Sequence, residues 1–326
     1  MNKKPLVIAA MVVGLLFGCD SSKFQSEVGE KIVSAINVKV RAEPSMEAPE
    51  VGRLGFGSVL HATQRTKEPS AVGGSSDYWY YVENGSIKGW VFGGLLTALD
   101  LNKAGESYVG LIRKRLGNPD VLPDQNQLKL TIEEAAEVAQ FAKVAAPLLP
   151  DLELRGEVEL AEWRAVQHAF AMTNPENKLN QTWLKSLGEK NVFFDEISGS
   201  WLVNADVYWQ LADKYKAQQI GETIAWQGAN ARLGGECEGD MSCASSAMQN
   251  SYGKYLQRYP TGKHAGETLQ LMLQFFTGLQ GDWANMDKET RAAVDFKAWE
   301  DVIANVPAND ATNQIRSIMQ KLKGKA

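Results

Sequence analysis

Asp77-Tyr78-Trp79-Tyr80-Tyr81-Val82 sets four aromatic rings in consecutive positions. In an extended strand, alternate side chains face opposite ways. With Val82 turned inward, Tyr80 and Tyr78 follow it, and Trp79 shares the other face with Tyr81. Outward aromatic rings make a flat surface of low conformational entropy, suited to an extended peptide or a sugar ring. Trp79 and Tyr81 are therefore the candidate ligand-binding pair. The alternative is that they pack beneath the neighbouring polar loop or against a second domain. Trp90, between Gly89 and Val91, reads as core.

A second pair with chemistry is Cys237 and Cys243, in the segment Gly235 to Cys243 between two helical stretches. In an oxidising compartment this spacing suits a local disulfide. Closing so short a loop restricts the unfolded chain by roughly 2.4 kcal/mol in the entropy account. The rival is a metal, but two thiolates supply half a zinc tetrahedron and no histidine lies near them in sequence. Glu236, Glu238 and Asp240 alternate like the start of a calcium loop without completing its pattern. The expectation is a disulfide and no metal.

Signals for catalysis are sparse. The sequence has no Gly-x-Ser-x-Gly, no His-Glu-x-x-His and no phosphate-binding glycine loop, and it holds three histidines, His61, His168 and His264. Each of the three reads as structural. Asp195-Glu196 beside Phe193-Phe194 is an adjacent carboxylate pair, and a raised pKa there could serve as a general acid. Neighbours along a chain normally point apart, so a solvated turn is the simpler reading. The expectation is no catalytic residue, no cofactor and no enzyme activity.

The elements that must position these residues fall into four stretches. Residues 1–18 carry Lys3 and Lys4, then an apolar run from Leu6 to Phe17 and a small Gly18. That is the layout of a secretory signal, too short to span a bilayer stably. Residues 19–30 are polar and read as a tether. Over 31–99, short β-type runs alternate with turns at Glu43-Pro44-Ser45, Gly55 to Ser58 and Asn84-Gly85, which predicts a small antiparallel barrel. The segment Arg65 to Asp77 reads as a long polar loop. From 100 to 326 the pattern is helical. Thr131-Ile132-Glu133-Glu134 forms a capping box opening a helix to Ala146, a second strong helix covers Glu157 to Met172, and more follow to about 323. Trp163, Trp183, Trp209, Trp226, Trp283 and Trp299 read as core of an all-α domain.

Three resemblances sharpen this. Val38-Lys39-Val40-Arg41-Ala42-Glu43-Pro44-Ser45, then Leu54-Gly55-Phe56-Gly57, Trp79-Tyr80-Tyr81-Val82 and Gly89-Trp90-Val91 resemble, in order, the pattern of bacterial SH3 (SH3b) domains, with Lys39 where Asn is usual. The resemblance implies an SH3-like β-barrel that contacts peptidoglycan or a peptide. Leu16-Phe17-Gly18-Cys19 resembles the lipobox of bacterial lipoproteins, with Phe17 bulkier than the family's usual residue. That likeness implies that Cys19 is lipidated, that the chain is anchored in a membrane and faces the periplasm, and, through Asp20, that the inner membrane retains it. More loosely, Tyr255-Leu256-Gln257-Arg258-Tyr259-Pro260 followed by Gly262-Lys263-His264-Ala265 resembles a junction of tetratricopeptide-like repeats, which implies a surface for another envelope protein. Cleavage after Gly18 takes the formal charge from −5 to about −7, an acidity that argues against nucleic-acid binding. The expected architecture is multi-domain β + α, and the expected role is a lipid-anchored envelope binding protein. The alternatives are a wall hydrolase or its regulator with an unrecognised site, and a structural spacer whose barrel binds nothing.

Overall fold

The computed structural model describes residues 23–122, 130–170, 172 and 178–324. The signal-like segment, Cys19 and Asp20 lie outside the described residues. Two compact units emerge. The first comprises the described residues up to Val33 together with Val38–Leu54 and Val59–Ala98; the second comprises the chain from Leu99 onward plus Ser34–Asn37 and Gly55–Ser58.

The first unit is built from β1 (Phe24–Val33), β2 (Val38–Arg41), β3 (Glu50–Leu54), β4 (Val59–Thr66), β5 (Ser70–Val72), β6 (Ser75–Asp77), β7 (Trp79–Asn84), β8 (Ile87–Phe92) and β9 (Leu96–Ala98). Seven of these form one sheet in the order β3-β2-β8-β7-β4-β1-β9, and β5 and β6 pair separately as a hairpin. Every pairing is antiparallel. The chain turns from β7 to β8 through Gly85-Ser86, where Gly85 takes a φ of +55° that other residues adopt at a cost. Ile32, Val40, Leu60, Ala62, Val82 and Val91 are buried in this unit.

Two expectations are corrected here. The tether over 19–30 ends earlier: Phe24 to Glu30 pair with β4, from Phe24 opposite Thr66 to Glu30 opposite His61. Polar composition concealed the first part of this strand, where Phe24 packs its ring 4.7 Å from that of Trp90. The long loop over Arg65–Asp77 likewise contains the β5–β6 hairpin, turned by Gly73-Gly74 with φ of +57° and +83°.

The second unit contains α1 (Ala104–Leu116), α2 (Ile132–Ala145), α3 (Leu152–Phe170), α4 (Lys178–Leu187), β10 (Val192–Asp195), β11 (Ser200–Val203), α5 (Ala205–Lys214), α6 (Gln219–Ala229), α7 (Met241–Met248), α8 (Lys254–Arg258), α9 (Ala265–Asp282), α10 (Lys288–Ala293), α11 (Phe296–Ile303) and α12 (Asp310–Lys323). A π-helical turn at Gln249–Gly253 links α7 to α8. The capping box at α2 forms as its sequence dictates: Glu134 N–H donates to Thr131 Oγ1 at 3.2 Å, and Thr131 N–H to Glu134 Oε2 at 2.9 Å. Buried Ala135, Val138, Ala139 and Ala142 lie along one face of α2, which packs along α3. Their small side chains let the two helices approach closely. Helices α5 and α6, and α9 and α12, also pack together. Trp209, Trp226, Trp283 and Trp299 are buried.

The all-α expectation is corrected by the β10–β11 hairpin, in register from Val192 opposite Val203 to Asp195 opposite Ser200. Val192-Phe193-Phe194 and Trp201-Leu202-Val203 are rich in β-branched and aromatic residues around a Ser-Gly turn, a strand signal that the helical surroundings masked.

Candidate binding surface

The disposition of β7 decides which aromatic rings can meet a ligand. On its β8 side the register is regular, with Trp79 opposite Phe92, Tyr80 opposite Val91, Tyr81 opposite Trp90 and Val82 opposite Gly89. Trp79 and Tyr81 therefore do share a face that Val82 does not. That face is closed. Trp79 is 2% exposed and lies in an aromatic cluster with Trp90 and Phe92, against which Phe24, Val72, Tyr81 and Leu95 pack. The rings of Trp79 and Phe92 stand 5.7 Å apart, and those of Tyr81 and Trp90 5.5 Å apart, both edge-on.

The reading of Trp79 as an outward ligand residue is thus corrected, while Tyr81 is partly exposed at the margin of the cluster, its ring packed edge-on against Trp90. The physical reason lies in the two segments read as tether and loop. Phe24 from β1 and Val72 from the β5–β6 hairpin cover the face that a bare barrel would present to water. Packing beneath the polar segment, the alternative weighed for these rings, is the arrangement observed.

The accessible aromatic face is the opposite one. Tyr78 and Tyr80 are partly exposed, as are Lys31, Arg65, Glu27 and Asp77 around them. The register brings Arg65 on β4 opposite both Tyr80 on β7 and Gln25 on β1. The Arg65 guanidinium carbon stands 3.8 Å above the centre of the Tyr78 ring, and the Lys31 ammonium 4.4 Å from that of Tyr80. Such cation–π contacts contribute about 0.5–1 kcal/mol at exposed sites, and they fix the rings in place. Arg65 is also 3.4 Å from Glu27. A Cβ on Gly93 would stand 2.7 Å from the Tyr80 ring and 2.8 Å from the Asp77 carboxyl carbon, so the absence of a side chain there lets Tyr80 lie against the backbone. Burial raises the Tyr80 phenol pKa, and the carboxylates of Asp77 and Glu27 raise it further. The hydroxyl therefore remains a hydrogen-bond donor throughout the physiological range. Two cations, two carboxylates and two phenols make a neutral, donor-rich aromatic surface, chemically apt for a glycan or an extended peptide. The strand alternation of the aromatic run contained these two tyrosines. What it lacked was the knowledge of which face the rest of the chain covers.

The remaining sequence candidates are dispersed. Cys237 and Cys243 form a disulfide with Cα atoms 5.4 Å apart, beside the start of α7, where the Asp240 carboxylate accepts from the N–H groups of Ser242 and Cys243. No group of three or more potential metal-ligating side chains occurs among the described residues. His61 meets Glu30 at 2.8 Å, His168 is buried in α3, and His264 stacks at 4.1 Å on Trp226.

Asp195 does not have the raised pKa that a general acid needs. It accepts hydrogen bonds from the Ser198 hydroxyl, the Gly235 N–H at 2.9 Å and the Ser198 N–H at 3.2 Å, and these hold its carboxyl below the usual range. A depressed folded-state pKa means that its contribution to stability is full above the unfolded value of about 3.9 and fades as pH falls through the folded value. Asp195→Asn is therefore expected to weaken the fold at neutral pH and to flatten the loss of stability below about pH 4, which denaturant melts at several pH values would read.

Residues 36–97 match the family of bacterial SH3 domains. The match covers less than a fifth of the chain and lies mostly within the first unit, from β2 into β9. No curated protein matches the chain. The protein thus carries a bacterial SH3 domain followed by a mainly helical unit.

Proposed function

We propose that the protein is a lipid-anchored binding and scaffold protein of the cell envelope, without catalysis of its own. Its bacterial SH3 domain takes up peptidoglycan or a wall peptide, and its helical unit holds a protein partner. The observation that carries the binding assignment is the partly exposed face of Tyr78 and Tyr80 with Arg65 and Lys31 seated on their rings. Rings already immobilised by cations lose little freedom on stacking against a sugar or a peptide plane, so more of the contact energy appears as affinity. Anchoring rests on the lipobox-like Leu16-Phe17-Gly18-Cys19 and the basic and apolar residues before it. Cys19 carries the lipid, and Asp20 favours the inner membrane with the chain facing the periplasm. More than one acyl chain is needed for firm retention, since each buried methylene contributes about 0.8 kcal/mol and one chain holds only marginally.

The test is co-sedimentation of the full chain, purified in mild detergent, with isolated sacculi, while released muropeptides are followed in the same tube. Wild type is expected to sediment with the sacculi and release nothing. Tyr80→Ala combined with Arg65→Gln should weaken retention about tenfold, the loss typical of removing a hot-spot ring, while a thermal melt still shows a cooperative transition. Failure of the wild type to sediment would remove the wall-binding assignment, and released fragments would reveal an enzyme.

A further inference from the structure

The helical unit holds a cavity of about 160 Å³ between the end of α3, strand β11 and the residues just after α6, lined among others by Gln167, Phe170, Ser200, Trp201, Val203 and Arg232. Its walls are unequal. Phe170 and Trp201 form an aromatic side, with ring centres 6.4 Å apart. The polar side keeps unspent donors on Gln167 and Arg232. Gln167 Oε1 already accepts from the Tyr208 hydroxyl at 2.8 Å, which leaves its amide N–H₂ as the available group. The Ser200 hydroxyl donates to the Ser198 carbonyl. Arg232 is exposed, and it is the one charged residue among the described residues lining the cavity. The Asp195 carboxylate lies within electrostatic reach of Arg232, yet it spends both oxygens on hydrogen bonds from Ser198 and Gly235 and makes no direct ion pair with Arg232 among the described residues.

We propose that this cavity is a binding site for a small carboxylate whose apolar part is about the size of one ring. A dry cavity of about 150 Å³ accommodates benzene, so this volume accepts one six-membered ring. An arginine whose guanidinium makes no direct ion pair, lining the same cavity as an amide donor, supplies the planar donor set that a carboxylate matches. The aromatic wall takes the ring edge-on or in offset stacking. This site is separate from the tyrosine face of the SH3 domain and does not depend on that assignment.

Isothermal titration of the full chain with phenylacetate tests it, with phenylacetamide as the neutral isostere. Saturable binding of phenylacetate is expected, with the amide about tenfold weaker or worse, as befits the loss of a charge-assisted contact. Arg232→Gln, at an exposed position that leaves the fold intact, should weaken phenylacetate about tenfold while leaving phenylacetamide nearly unchanged. Tyr80→Ala should alter neither titration. No saturation by phenylacetate in the low millimolar range, equal affinity for the amide, or an Arg232→Gln variant that binds like wild type would each overturn the proposal.

Discussion

Trp79→Ala is expected to destabilise the SH3 domain by about 3–5 kcal/mol, the usual cost of truncating a buried tryptophan. The ring is 2% exposed and stands at the centre of a cluster that draws on β1, the β5–β6 hairpin, β7 and β8. Removing it leaves Phe92, Trp90 and Phe24 around a void, with Trp90 still held edge-on by Tyr81 and tilted against Phe24. Small domains are stable by only about 5–15 kcal/mol, so such a loss takes a large share of the fold. The measurement is a denaturant melt monitored by near-ultraviolet circular dichroism, which reads the ordered aromatic cluster. Tyr81→Ala, truncating a ring at the margin of the same cluster, should cost less. A Trp79→Ala variant that melted like wild type yet no longer bound sacculi would restore Trp79 as a ligand residue. If instead it melts early, its loss of binding reports unfolding, and Tyr80 with Arg65 is the pair on which binding should be judged.

This substitution also shows what could be read from the sequence and what could not. The strand, its alternation and the partition of Trp79 and Tyr81 from Val82 all follow from the period of the chain. Whether a face is open depends on distant segments, here Phe24 and Val72, each lying in a stretch whose composition is polar. A single apolar residue in a polar run carries no periodicity, so nothing local announces that it covers a tryptophan. The helical unit repeats the lesson. Thr131 and Glu134 announced their helix start because a capping box is entirely local. The β10–β11 hairpin is also local, yet its aromatic residues suit a helix face as readily as a strand. The cavity lined by Gln167, Phe170, Trp201 and Arg232 joins residues more than sixty positions apart, and no spacing rule connects them. The disulfide was legible for the opposite reason, since five intervening residues bring two thiols within reach whatever surrounds them.

The second large effect is expected at Arg164. This residue lies in α3, is 3% exposed and forms no ion pair among the described residues. Its terminal nitrogens instead donate to main-chain carbonyls at and beyond the end of α1. Nη2 reaches Leu116 at 2.8 Å, Asn118 at 3.2 Å and Val121 at 3.4 Å, and Nη1 reaches Gly117 at 3.4 Å. The last carbonyls of a helix have no partner within it, and they carry the negative end of its dipole. A buried guanidinium answers both needs with one planar group. Burial pulls its pKa down, and the Glu157 and Asp120 carboxylates act in the opposite direction. Arg164→Leu fills similar space but strands the buried Leu116 carbonyl away from water, at about 1–3 kcal/mol, while the carbonyls of Gly117, Asn118 and Val121, on exposed residues, turn to solvent. With the lost charge-assisted contacts beside it, a loss of about 2–3 kcal/mol follows for the helical unit. Arg164→Lys should recover little of it, because an ammonium cannot span the same row of oxygens as a planar fork. Denaturant melts followed by far-ultraviolet circular dichroism check both variants. If leucine were tolerated at wild-type stability, the carbonyls after α1 would have to find other donors, and the guanidinium would be a passenger in the core rather than the cap of α1.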